Sequence, residues 1–160
     1  MMSGNPFDKL TLFQDLAPSQ VKILRELFVP CDYYANDTIF QQDTSAENLY
    51  LVVSGEVMVV YKPYDGPPIT ITRVKTGGMV GWSAALGSRL YTSSAEAVEY
   101  SQLLRVCGTS LRAMCKKYPL LGEVVLDRLA TLIAERLRNT HPQVLALLKM
   151  GLDANTPAYR

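Results

Sequence analysis

The chain has 160 residues, with a hydrophobic fraction of 48% and a charged fraction of 19%. That is the length of one domain with a core of its own, and the composition excludes wholesale disorder. Sixteen Lys and Arg stand against fifteen Asp and Glu, a net charge of +1, so no global positive field is present to hold nucleic acid or an anionic membrane.

The first residues, Met1 to Lys9, lack a basic stretch followed by an apolar one, and no signal peptide is expected. Pro18 stands at a first helical position, where a missing N–H costs nothing. Val21, Ile23, Leu24, Leu27 and Phe28 then supply one helical face, and Pro30 is expected to end the helix. Strand patterns follow. Residues 33–35 and 38–40 flank the turn pair Asn36-Asp37, and 49–53 and 56–61 flank Ser54-Gly55. A turn from Tyr64 to Pro68 leads into 69–74, which alternates apolar and polar as a half-buried strand should. After Thr76-Gly77-Gly78, residues 93–98 and 102–106 supply two more strands. Their recurrence with turn signals between predicts a mainly β fold, a jelly-roll-like β-roll of about eight strands. It is flanked by the N-terminal helix and by C-terminal helices.

Beyond Gly108 the period is helical again. Thr109 or Ser110 can cap a short helix reaching Lys117, and Tyr118-Pro119 breaks it. Leu121, Val124, Val125, Leu129, Leu132, Ile133 and Leu137 stripe a long helix to about Asn139. A short apolar stretch at 144–150 follows Pro142, and the tail 151–160 is expected to be loose. Apolar runs such as Val57–Tyr61 are too short to span a membrane.

His141 is the single histidine, which argues against a multi-imidazole metal centre or a cupin-type oxygenase. It also argues against a Ser-His-Asp triad unless His141 itself reaches a nucleophile. Cys31, Cys107 and Cys115 are odd in number and unrelated in spacing, which predicts reduced thiols, a cytoplasmic location and no iron–sulfur cluster. No catalytic residue, resident cofactor or metal ligand is expected, and the chain does not advertise an enzyme.

One segment is built like an anion cradle. Gly77, Gly78 and Gly81 let backbone approach a ligand closely, and Ser83, Ala84 and Ala85 leave the following turn uncovered. Backbone amides at Ser83, Ala84 and Thr92 are the expected anion donors, with Thr92, Ser93 and Ser94 adding hydroxyls. Three blocks extend the pattern: Ile39 to Asp43, Leu49 to Val57, and Gly77 to Leu86. Together they resemble the cyclic nucleotide-binding domain family, which includes catabolite activator proteins and the regulatory subunits of cyclic AMP-dependent kinase. The resemblance runs from about Leu10 to Leu137. It implies a cyclic nucleotide-binding-like domain over 1–140 and a short helical extension with a tail over 141–160. It also implies that the glycine-rich turn into Gly81 opens a phosphate-binding cassette.

Two departures touch the ligand. The family's Glu that accepts from the ribose hydroxyl is replaced by Trp82. The Arg that pairs with the cyclic phosphate is replaced by Tyr91, with Arg89 two residues earlier on the same side of an extended chain. Asn36 and Asp43 replace two turn glycines, and both residue types tolerate positive φ. The expected pocket is lined by Gly81, Trp82, Ser83, Ala84, Ala85, Arg89, Tyr91, Thr92 and Ser93.

Two functions follow. One is a sensory domain for cyclic AMP, cyclic GMP or another small anion, signalling through its C-terminal helices to a downstream protein. The other is an interaction or dimerisation module that kept the fold and lost the ligand. The resemblance implies a homodimer through helix 120–138, and Val125, Leu129 and Leu132 are spaced as a seam. About twenty residues follow Thr140, too few for the helix-turn-helix domain of catabolite activators, so DNA binding by this chain alone is not expected.

Overall fold

The computed structural model describes residues 5–155; residues 1–4 and the end of the expected tail, 156–160, lie outside the described residues. Two short 3-10 turns, Pro6–Lys9 and Thr11–Phe13, precede helix α1 (Pro18–Leu27). Eight strands follow: β1 (Val29–Tyr33), β2 (Thr38–Phe40), β3 (Asn48–Ser54), β4 (Val57–Tyr61), β5 (Ile69–Val74), β6 (Met79–Val80), β7 (Ser94–Ala97) and β8 (Ser101–Cys107). Helices α2 (Gly108–Lys117) and α3 (Pro119–Asn155) close the chain. The strands form two antiparallel four-stranded sheets, ordered β1-β8-β3-β6 and β2-β7-β4-β5.

The apolar run in β3 has a direct physical cause. Leu49, Leu51 and Val53 point to a core shared with the helices, whereas Tyr50 and Val52 point into the space between the sheets. A strand buried on both faces has no polar side to show. Phe7, Leu10, Leu12 and Phe13, in a stretch to which the sequence patterns assign no element, join the helix-side core with Leu24 and Phe28. The predicted turn substitutes hold, since Asn36 and Asp43 adopt φ of 74° and 66°.

Helix α1 ends at Leu27, ahead of Pro30 as expected, and β1 already starts at Val29 and runs through the proline. It can do so because β1 is an edge strand, paired only with β8, and one edge needs no N–H donor. Two expectations change. Pro142 does not end the long helix; α3 continues through it to Asn155, so residues 151–155 are helical rather than loose. A proline removes one bond, to the carbonyl four residues back, and the helical pattern on both sides carries the helix past it. The expected seam also faces the other way. Val125 and Leu129 are buried in the chain's own core, with Leu132 and Ile133 packed against it. Leu126, Leu137 and Leu148 are exposed instead, each eleven residues or three helical turns from the next.

The helices are tied to the roll by polar bonds as well as by packing. One Arg128 guanidinium nitrogen donates to the carbonyls of Leu12 and Gln14 at 2.9 and 2.6 Å and to that of Thr11 at 3.3 Å. No helix among the described residues is long and apolar enough to cross a membrane.

Candidate functional site

The cassette begins where β6 ends. Met79 and Val80 pair with Leu51 and Tyr50 of β3, which delivers Gly81 to the mouth between the two sheets. Gly81 has φ of +81°, and a Cβ there would lie 2.8 Å from the Asn48 carbonyl oxygen, 3.3 Å from Phe40 and 3.4 Å from Tyr91. Both the backbone angle and the close approach require glycine. A tight turn follows, in which the Ala84 N–H donates to the Gly81 carbonyl at 3.1 Å and the Ser88 N–H to the Ser83 carbonyl at 3.0 Å. Of the three expected anion donors, the Ala84 amide is thus already engaged.

Tyr91, expected in place of the family's arginine, is 4% exposed. Its ring stacks on Phe40 with centroids 3.9 Å apart, and Phe40 stacks on Tyr50 at 5.9 Å. Its hydroxyl donates to the Asn48 carbonyl at 2.6 Å and accepts from the Asn48 N–H at 3.0 Å. Its own N–H and carbonyl are held by Thr44 and Asp43. Burial pushes the Tyr91 phenol up from its ordinary value. The hydroxyl is therefore a neutral cross-brace between two segments of backbone.

Phe40, Val59, Gly81, Trp82, Ser83, Tyr91, Thr92, Ser93 and Arg136 enclose a cavity of about 10 Å³. A cavity needs roughly 10–15 Å³ to hold a single water. Trp82 and Ala85 pack against the helix-side core, while Ala84 and Ser83 are buried and Thr92 is exposed. Trp82 is accordingly part core and part cavity wall.

Arg89 is separated from the rest. It lines a different cleft of about 310 Å³ with Arg112, Ser45, Ser88, Cys107 and Thr109. Its carbonyl accepts from Ala46, which turns this stretch across the loop before β3. The two-residue spacing that placed Arg89 and Tyr91 on one face assumed a strand here, and strand β7 starts only at Ser94.

Arg136, which the sequence patterns do not single out, reaches the cassette from α3. It lines the small cavity and donates to the Met79 carbonyl at 3.2 Å. Burial lowers its pKa, and among the described residues no carboxylate pairs with it. In the sequence it is one arginine of a charged helical face, and only the docking of α3 brings it to β6. Arg112 likewise bonds the Ala84 carbonyl at 2.8 Å, linking α2 to the cassette turn.

Cys107 lies at the start of α2. Hydrogen bonds from the Ser110 backbone N–H first, and then from Ser110 and Thr109, hold its thiol below the ordinary cysteine range, although partial burial opposes them. Burial pushes the Cys31 and Cys115 thiols up. The thiolate is the nucleophile, so limiting iodoacetamide at neutral pH should label Cys107 first, as read by peptide mass spectrometry. Faster labelling of Cys31 or Cys115 would contradict this ordering. Among the described residues, no cluster of three or more His, Cys, Asp or Glu could hold a metal ion.

Residues 30–118 match the family model described as "Cyclic nucleotide-binding domain". The chain is 32% identical over 158 residues to the "Cyclic AMP receptor protein" of Thermus thermophilus, an alignment covering 99% of this chain and 68% of that protein. It is 25% identical over 137 residues to a "CRP-like cAMP-activated global transcriptional regulator" of Mycobacterium tuberculosis, covering 86% of this chain and 59% of the relative. Among solved structures, the Thermus thermophilus catabolite activator protein superposes with a TM-score of 0.67 at 29% identity, over 89% of this chain and 63% of that one. A cyclic nucleotide-binding domain from Methylobacillus flagellatus superposes at 0.76 with 22% identity, over 88% and 79%, and shares the fold.

Proposed function

Because the chain belongs to the cyclic nucleotide-binding domain family, we propose that it is a regulatory domain whose cassette is occupied by its own aromatic side chains. The observation that carries this reading is Tyr91, stacked on Phe40 and braced on both backbone groups of Asn48 over Gly81. A family Arg at this place would offer a charged fork to a phosphate; the Tyr91 hydroxyl donates to the chain's own carbonyl instead. The domain then works as a dimerisation or interaction module that relays its state through α3 to a downstream protein, without an intact cyclic nucleotide in the cassette. The exposed stripe of Leu126, Leu137 and Leu148 supports a homodimer through α3. The description of the Mycobacterium tuberculosis relative names transcriptional regulation, and a cytoplasmic regulatory role is the matching proposal here.

Calorimetric titration of the full chain with cyclic AMP and cyclic GMP tests this. No saturable binding is expected at millimolar concentration. Saturable binding that Thr92→Glu abolishes would overturn it, because Thr92 is an exposed residue of the cassette wall. One observation favours the notion that a small anion can still be sensed in the cassette: the half-buried Arg136 guanidinium lacks a carboxylate partner among the described residues. On that second reading a monovalent anion binds, and Thr92→Glu weakens it.

A further inference from the structure

A cleft of about 670 Å³ opens beside the cassette, sharing Arg136 with its wall, between α3, the connection from β5 to β6, and the chain after the second 3-10 turn. Small-molecule sites occupy roughly 300–1,000 Å³. Arg73, Lys75, Arg128 and Arg136 line this one, against the two carboxylates of Asp15 and Glu135. In a chain of net charge +1, that is a local excess of positive charge. Arg73 pairs with Glu56, which is not part of the lining, and among the described residues neither Asp15 nor Glu135 is within salt-bridge distance of any of the four cations.

Two of the cations are already positioned. Arg128 is fixed by the carbonyls of the N-terminal turn and Arg136 by that of Met79, each through one terminal nitrogen. A guanidinium has five N–H donors, so donors remain, and a side chain that is already held loses little freedom on binding. Burial opposes the charge on Arg136, and a bound anion would relieve that cost. The cations come from α3, from the end of β5 and from the β5–β6 connection, which suits an anion with several charged groups.

We propose that this cleft binds a phosphorylated small molecule of nucleotide size, whose phosphates bridge Arg136 on α3 to Lys75 and Arg73 on the β5–β6 side. The ligand would hold α3 at one angle to the roll, which gives the domain an input that does not pass through the filled cassette. A ligand that prefers one helix arrangement shifts the population toward it.

The test is calorimetry of the full chain at low ionic strength, with inorganic pyrophosphate and ATP as probes and citrate as a phosphate-free anion. Both phosphate probes should bind saturably and citrate far more weakly. Lys75→Glu, at an exposed position, should weaken binding by roughly 10–100-fold, the range of a charged hydrogen bond. Lys75→Arg should retain it, and Arg89→Glu, in the separate cleft, should leave it unchanged. The proposal is overturned by no binding of either phosphate probe, by citrate binding as tightly, or by indifference to Lys75→Glu. It is also overturned if Arg89→Glu weakens binding as much as Lys75→Glu, which would make the attraction one of overall charge. Since cyclic nucleotide binding is scored separately, either reading can fail while the other stands.

Discussion

Gly108→Ala should destabilise the protein by about 3 kcal/mol, the upper end of ordinary overpacking. A Cβ on Gly108 would lie 2.3 Å from the Ala84 carbonyl oxygen and 2.9 Å from its carbon. Both are backbone atoms, so relief requires moving either α2 or the cassette turn. The surroundings resist either movement, since the Gly108 N–H donates to Glu47 at 2.9 Å and Arg112 bonds the same Ala84 oxygen at 2.8 Å. Alanine is favoured over glycine inside a helix by about 1 kcal/mol, which is too little to offset the clash. At roughly 2–4 °C per kcal/mol for a chain of this size, the thermal midpoint should fall by about 6–12 °C. An unchanged or raised midpoint would show that the two segments do not meet so closely. The same substitution should disturb the cassette, because Ala84 is part of its turn.

Tyr91→Ala should cost about 3–5 kcal/mol, as for other buried aromatics cut back to alanine. The ring leaves a void against Phe40, and the Asn48 N–H and carbonyl lose their partner. Tyr91→Phe keeps the stack and removes only the brace, at about 1–3 kcal/mol for stranded polar groups. The order wild type, Tyr91→Phe, Tyr91→Ala in denaturant midpoint separates filling from bracing, and a loss below about 1 kcal/mol for Tyr91→Ala would remove the plug from the proposed function. A pH dependence accompanies it. Burial raises the Tyr91 phenol above its ordinary value of 10, so the folded state favours the neutral form. That contribution is fully present below pH 10 and is lost as pH rises through the raised value. Tyr33 and Tyr50 shift the same way for the same first cause. Stability should therefore fall in strong alkali, and Tyr91→Phe should remove part of that fall.

The strands and turns were legible because they are local. Alternation in 69–74 and the pairs at Asn36 and Ser54-Gly55 act over a few residues, and the eight-strand roll follows from their spacing. The N-terminal turns were not legible: Phe7, Leu10, Leu12 and Phe13 show no helix or strand period, and they are buried only because a helical layer covers that face of the sheet. Strand β6 was hidden for a similar reason, since two residues carry no period and pair only because β3 has an open edge beside them.

The cassette divides the same way. Its expected location at Gly81 and the expected departures at Trp82 and Tyr91 come from the resemblance of the linear chain. Tyr91 could equally have donated to a ligand or to the protein, and the Asn48 backbone, 43 residues away, decides for the protein. Arg89 looked like an inward cation because extended chain alternates, yet the chain there is a loop and the side chain lines another cleft. Arg136 looked like one charge among many until α3 docked.

Local patterns carry the β-roll, because alternation and turn pairs depend on residue identity and short-range spacing. Where the Tyr91 and Trp82 rings pack, which side of α3 is exposed and which cations gather into one cleft came from the packing of the whole chain. Those outcomes depend on how helix and sheet faces dock, and docking is settled by burying the largest apolar surfaces together. The charged side chains are then carried to wherever that packing leaves them.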